Sequence, residues 1–209
     1  MGRKLTIGEK TLLRVIYGDT LPYQIMEVEK NDWPLLGSLG GKHNSITPRG
    51  TPHMAPSLYS EDYGSETSKR NVGVFIHEVM HVWQWYHGHN NILNAVSTAV
   101  WDSGINWNKL RAHCNSKGCK SSADPTGRDF VTTYDDAYWY DLKDSNRLAN
   151  YNFEAQASIV EDYWFVTQGL LPEKNRGNKK ERWQYEIFIN QLRTAGPPRG
   201  PMDIPLPTK

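Results

Sequence analysis

The segment His77-Glu78-Val79-Met80-His81 carries three side chains that together could hold a metal ion and activate a water molecule. On an α-helix, residues i and i+4 lie one turn and about 40° apart. Two imidazoles at that spacing can converge on one ion at about 2.0–2.1 Å. Glu78 lies on the neighbouring rim of the same face. It is poorly placed to ligate that ion and well placed to reach a water bound to it. This is the geometry of an HExxH zinc hydrolase, with the glutamate as general base. The surrounding run, VGVFIHEVMHVWQWY from Val72 to Tyr86, is apolar nearly all round and is expected to be buried. Two imidazoles and a carboxylate are costly there unless something satisfies them. A metal does so directly; a pair of core histidines bonded to carbonyls or carboxylates is the competing explanation.

A catalytic zinc takes three protein ligands and leaves one position for water. The chain has seven histidines: His43, His53, His77, His81, His87, His89 and His113. None follows the motif at the HExxHxxGxxH spacing, and His87 and His89 fall at or beyond the expected helix end beside Gly88. The third ligand is therefore expected to be a carboxylate from another helix. Glu154 and Glu161 are seven residues apart, hence on one face, with Asp162 beside them. Glu154 sits in an otherwise apolar stretch and is the preferred ligand, with Glu161 as the alternative. Tyr134, Tyr151, Tyr163 and His89 are candidates for a donor to the developing oxyanion. For each tyrosine, core packing is the competing role. Gln84, one turn after His81 on the expected helix, could orient a ligand.

Four helices are expected to position these groups. The first spans about Ile7 to Tyr17, with Thr6 and Glu9 in a capping-box pattern and Gly18 as its stop. The motif helix runs from about Glu66 to His87, and a third from Tyr151 to Gln168, ended by Gly169 and Pro172. A fourth spans Lys179 to Thr194, with Trp183, Ile187 and Leu192 facing inward. A shorter helix fits Asn91 to Trp101. Strands are few and short: near Tyr23 to Val28, with extended pieces at Ser45–Thr47 and His53–Tyr59 and a further strand near Tyr134 to Asp141. The fold class is α+β, a mainly helical zincin-like domain with a small sheet beside the motif helix. Residues 1–195 read as one domain and 196–209 as a proline-rich extended tail. Segment 102–128 reads as a long surface excursion; its Cys114 and Cys119 are compatible with a disulfide or with two thiols.

Composition narrows the classes. In 209 residues, 24 basic and 23 acidic side chains leave a formal charge of +1, which disfavours nucleic-acid binding. No run of 18 apolar residues exists, so no membrane span is expected. Gly8, Glu9, Lys10 and Arg14 interrupt any secretory core at the start, so the chain is expected to be made in the cytoplasm without a signal peptide.

The motif and the later helical glutamate resemble those of the gluzincin metallopeptidases. More specifically, HEVMHVWQW followed by E-A-Q-A-x-I-V-x-D-Y resembles the short zincin-like proteins found with the Vgr and Rhs components of bacterial type VI secretion. The opening LTIGEKTLLRVIYGDTLPY is similar to the start of those proteins. The matching blocks are residues 4–30, 72–86 and 151–164, about a quarter of the chain. A similar HExxHxxQ signature marks metallopeptidase domains of other contractile injection systems. The resemblance implies Zn2+ held by His77, His81 and Glu154, with Glu78 as base. It also implies an antibacterial effector made in a bacterial cytoplasm, secreted, and active in the target cell's periplasm. Its partners would be a Vgr or Rhs secretion component, an immunity protein, and a peptide or cell-wall peptide substrate. A cell-wall amidase on the same site and a non-catalytic zincin-like adaptor are the alternatives.

Overall fold

The computed structural model describes residues 2–30, 45–89, 138–142, 147–177 and 181–199. The expected helix at 91–101, the cysteine-bearing excursion at 102–128, Tyr134, His43, His113 and most of the tail lie outside them.

Thr6 opens α1 (Ile7–Tyr17) through the capping box: its hydroxyl accepts from the Glu9 backbone, and the Glu9 carboxylate accepts from the Thr6 N–H. Glu9 is fully buried and is held there by Arg3, at 2.6 Å, and by the Tyr63 N–H. The Tyr63 N–H bond to Glu9, with the Arg3 bond to the Ser60 carbonyl, pins the first helix to the segment that leads into the motif helix.

The sheet has three short strands among the described residues, in the order β1-β2-β3. Strand β1 (Arg3–Lys4) runs antiparallel to β2 (Glu27–Lys30), which runs parallel to β3 (His53–Met54). Ile46 extends the edge by an antiparallel bridge to His53. The strand expected at 23–28 therefore starts late. Pro22 is the reason, because its carbonyl accepts from Ile25 and Met26 and closes a turn before the ladder begins.

Helix α2 (Lys69–Tyr86) carries the motif, is capped by Ser68, and buries twelve of its residues, from Val72 to Trp85. It lies against α3 (Phe153–Thr167), which is capped by Asn152. Gly73 makes the close approach of α2 and α3 feasible: a β-carbon there would stand 2.6 Å from the Phe165 ring. Helix α4 (Arg182–Arg193) packs on α3 through Tyr185, Phe188, Ile189 and Leu192. That i, i+3, i+4, i+7 set defines its inner face. Trp183 and Ile187 fall off this stripe and are 71% and 39% exposed, which corrects the expectation that they point inward.

The architecture is thus mixed α+β, with four helices and a small sheet among the described residues. No described helix is long and apolar enough to cross a membrane.

Candidate metal centre

On α2, His77 and His81 are both buried and stand edge to face, 5.1 Å between ring centres. Glu154, in the first turn of α3, meets both. Its Oε2 lies 3.2 Å from His77 Nε2 and 3.3 Å from His81 Nε2. Donors 2.0–2.1 Å from a tetrahedral ion are separated from each other by about 3.3–3.4 Å. The spacing at Glu154 Oε2 is therefore that of two tetrahedral edges. The ligand atoms of His77, His81 and Glu154 all lie within 4.8 Å of one another. Two nitrogens and one carboxylate oxygen form a donor set suited to zinc.

The far sides of both rings are also held. His77 Nδ1 lies 3.2 Å from Glu161 Oε2, and His81 Nδ1 lies 2.8 Å from Gln84 Oε1. Carboxylate and carboxamide oxygens only accept, so each Nδ1 carries its proton and each Nε2 is turned to the shared point. The Gln84 amide donates to the Phe153 carbonyl and to Gln156 Oε1, and the Gln156 amide donates to the Tyr151 carbonyl. Glu154 and Glu161, two turns apart on one face of α3, thus address the same imidazole from opposite sides. The two carboxylates left as alternatives by sequence have different positions: Glu154 stands with the converging nitrogens, and Glu161 behind one of them.

Electrostatics make this a pocket for positive charge. Burial opposes charging His77, but hydrogen bonds and charge from Glu154 and Glu161 outweigh it and raise its pKa to about 10. His81 is raised too: burial opposes its charge, and Glu154 prevails. Burial would raise Glu154, yet His81 and His77 hold it well below the usual carboxylate range. Glu78 behaves oppositely. Burial pushes its pKa up, only partly offset by His81, His77 and the Thr47 hydroxyl. Thr47 donates to Glu78 Oε2 at 2.7 Å and lies 3.1 Å from the Glu78 carbonyl. It is brought there by the Pro48–Gly50 turn, which packs on the end of α2. A β-carbon at Gly50, where φ is 75°, would meet the Trp85 ring at 2.7 Å.

The oxyanion candidates separate. Tyr163 donates to Glu186 on α4, and Tyr151 donates to the Asp141 carbonyl. His89 is part-buried against Phe153, 5.0 Å between ring centres, and burial lowers its pKa. Tyr138, which had no motif to single it out, lays its ring 5.6 Å from that of His77. Thr47 and Gln156 also gave no sequence signal. Thr47 lies 31 residues before Glu78 in a segment without strong periodicity, and Gln156 reads as one more polar residue near a helix start. The other described histidines are used elsewhere: His53 faces Glu29 at 3.2 Å, and His87 stacks on Trp83.

No family model matches the chain. Over 163 residues it is 28% identical to the type VI secretion system spike protein VgrG2b of Pseudomonas aeruginosa. That match covers 78% of this chain and 13% of the spike protein. The chain also matches a solved structure, the effector domain of Pseudomonas aeruginosa VgrG2b. The TM-score is 0.54 at 28% identity, over 80% of this chain and 76% of that one. The chain thus spans about an eighth of the curated relative, and the solved structure it matches is that relative's effector domain.

Proposed function

We propose that the protein is a type VI secretion effector with a zincin-like fold that hydrolyses amide bonds at a zinc centre. The observation that carries this is the convergence of His77 Nε2 and His81 Nε2 on Glu154 Oε2, at 3.2 and 3.3 Å, one residue from a buried carboxylate that is itself no part of that set. Similarity to the effector domain of VgrG2b supports the secretory assignment.

His77, His81 and Glu154 would hold the ion. When bound, zinc supplies a Lewis acid and lowers the pKa of a coordinated water toward about 7. Glu78 accepts the proton of the attacking water and returns it to the leaving amine. Its raised pKa suits both transfers, because a carboxylate nearer neutrality takes a proton more readily and still releases it. Thr47 holds one carboxylate oxygen, which keeps the other free to meet the water. Tyr138 forms a wall of the site beside His77.

The substrate is a peptide or the peptide part of a cell wall, reached after secretion with a Vgr-type spike. Action in the target periplasm requires an immunity protein in the producer. The test is expression of the protein with and without export to the periplasm, alongside Glu78→Ala. Export is expected to be toxic, and Glu78→Ala to abolish toxicity while retaining bound metal. Loss of a general base lowers turnover by about 10²–10⁴-fold. Undiminished toxicity of Glu78→Ala contradicts the assigned base. A wild-type protein that binds metal but is harmless in both compartments favours a non-catalytic adaptor.

A further inference from the structure

We infer that Glu161 is a positioning residue: it fixes His77 from behind and supplies the second negative charge that lets this buried pocket hold a divalent cation. The inference rests on the metal-centre assignment above and extends it beyond the ligands.

The two imidazoles are supported unequally. His81 Nδ1 meets a neutral carboxamide, whereas His77 Nδ1 meets a carboxylate. The choice at Gln84 is dictated by its surroundings. Its amide donates to two oxygens, the Phe153 carbonyl and Gln156 Oε1, so a glutamate there would set a carboxylate against two acceptors. A second carboxylate other than the base Glu78 comes from the other side, where Glu161 is only 7% exposed. A dication among neutral imidazoles and Glu154 leaves a positive charge in a buried site, which is costly unless another carboxylate offsets it; were that Glu78, it would be tied up as a counter-ion. Two carboxylates, Glu154 among the converging donors and Glu161 behind His77, then face the ion's two charges. Glu78 is then not needed for neutralisation and stays available as a base.

The fold is arranged to allow this contact. Glu154 and Glu161 are seven positions apart, so both face α2, two turns from each other along α3. Glu161 Oε1 would lie 3.3 Å from a β-carbon at Gly73, one turn before His77. The missing side chain at Gly73 therefore leaves room for the carboxylate as well as for Phe165. A hydrogen bond from a ligating imidazole to a carboxylate also strengthens that imidazole as a donor.

The experiment is a zinc titration of the chelator-treated 209-residue protein against a chromophoric competitor, for wild type, Glu161→Gln, Glu161→Asp and Glu154→Gln. Nitrogen-15 NMR of the histidine rings reports which nitrogen meets the ion. Glu161→Gln keeps the shape and an acceptor oxygen but removes the charge. It is expected to weaken zinc binding about 10–100-fold, the usual cost of losing such a partner, with His77 still bound through Nε2. Glu161→Asp keeps the charge at shorter reach and is expected to fall between the two; it carries the test if the glutamine variant does not fold. Affinity within about twofold of wild type in both variants overturns the inference. So does a loss in Glu161→Gln as complete as in Glu154→Gln, which would make Glu161 a ligand. A wild-type protein that takes up no zinc overturns the metal-centre assignment itself, and is distinguishable because no variant is then needed to see it.

Discussion

At the scale of single residues, the site is defined by where protons sit. In the metal-free protein His77 is charged, held between Glu154 and Glu161 with its pKa raised to about 10. Its unfolded value is about 6.5. The folded state thus binds this proton more tightly. The stabilisation is present in full below about pH 6.5 and is lost as the pH rises through about 10. An incoming cation must displace the same proton. Metal uptake at pH 7 is therefore expected to release at least one proton, and affinity to rise with pH up to about 10. Calorimetry in buffers of different ionisation enthalpy measures the number released; none at pH 7 contradicts the protonated ion-paired site. The HExxH residues and Glu154 could be picked out in the sequence because they stood in apolar stretches where charge needs a reason, and Glu161 only by its seven-residue spacing from Glu154. Glu154 could be preferred as the ligand on that ground, but the place of Glu161 behind His77 could not be read. It depends on which end of α3 lies against His77, and that is a property of packing rather than of spacing. Thr47 was illegible for a similar reason, since its role comes from a turn seated on α2 by Gly50.

At the scale of elements, the α2–α3 contact builds the site. α2 supplies both histidines and Glu78, the base in the proposed function, and α3 supplies Glu154 and Glu161. The four main helices were readable from capping residues and apolar spacing, most closely α1, whose ends and capping box match the pattern of Thr6, Glu9 and Gly18. The inner face of α4 was misread because Trp183 and Ile187 are large and apolar, but size does not decide orientation. The spacing of Tyr185, Phe188, Ile189 and Leu192 does. Gly73 gives the contact a sharp test. On helix propensity alone, Gly73→Ala should stabilise by about 0.8–1.0 kcal/mol. A β-carbon 2.6 Å from the Phe165 ring must instead push the helices apart, and overpacking of this kind costs about 1–3 kcal/mol. The expected net result is a lower melting temperature in chelator together with weaker zinc binding, as α3 moves away from His77. A variant more stable than wild type with unchanged affinity contradicts the close approach.

At the scale of the whole molecule, four helices and a small sheet among the described residues bring the histidines and their carboxylates into one cluster, and similarity to the VgrG2b effector domain extends over most of the chain. In the proposed function, the competence of that cluster depends on capturing an ion. The decisive measurement is zinc per chain in the purified protein, by mass spectrometry, for wild type, Glu78→Ala, His77→Ala and Glu154→Gln. One equivalent is expected in the first two, and little or none in the last two. An ion-free wild type, or equal zinc in the His77→Ala protein, would contradict a hydrolytic centre at these residues.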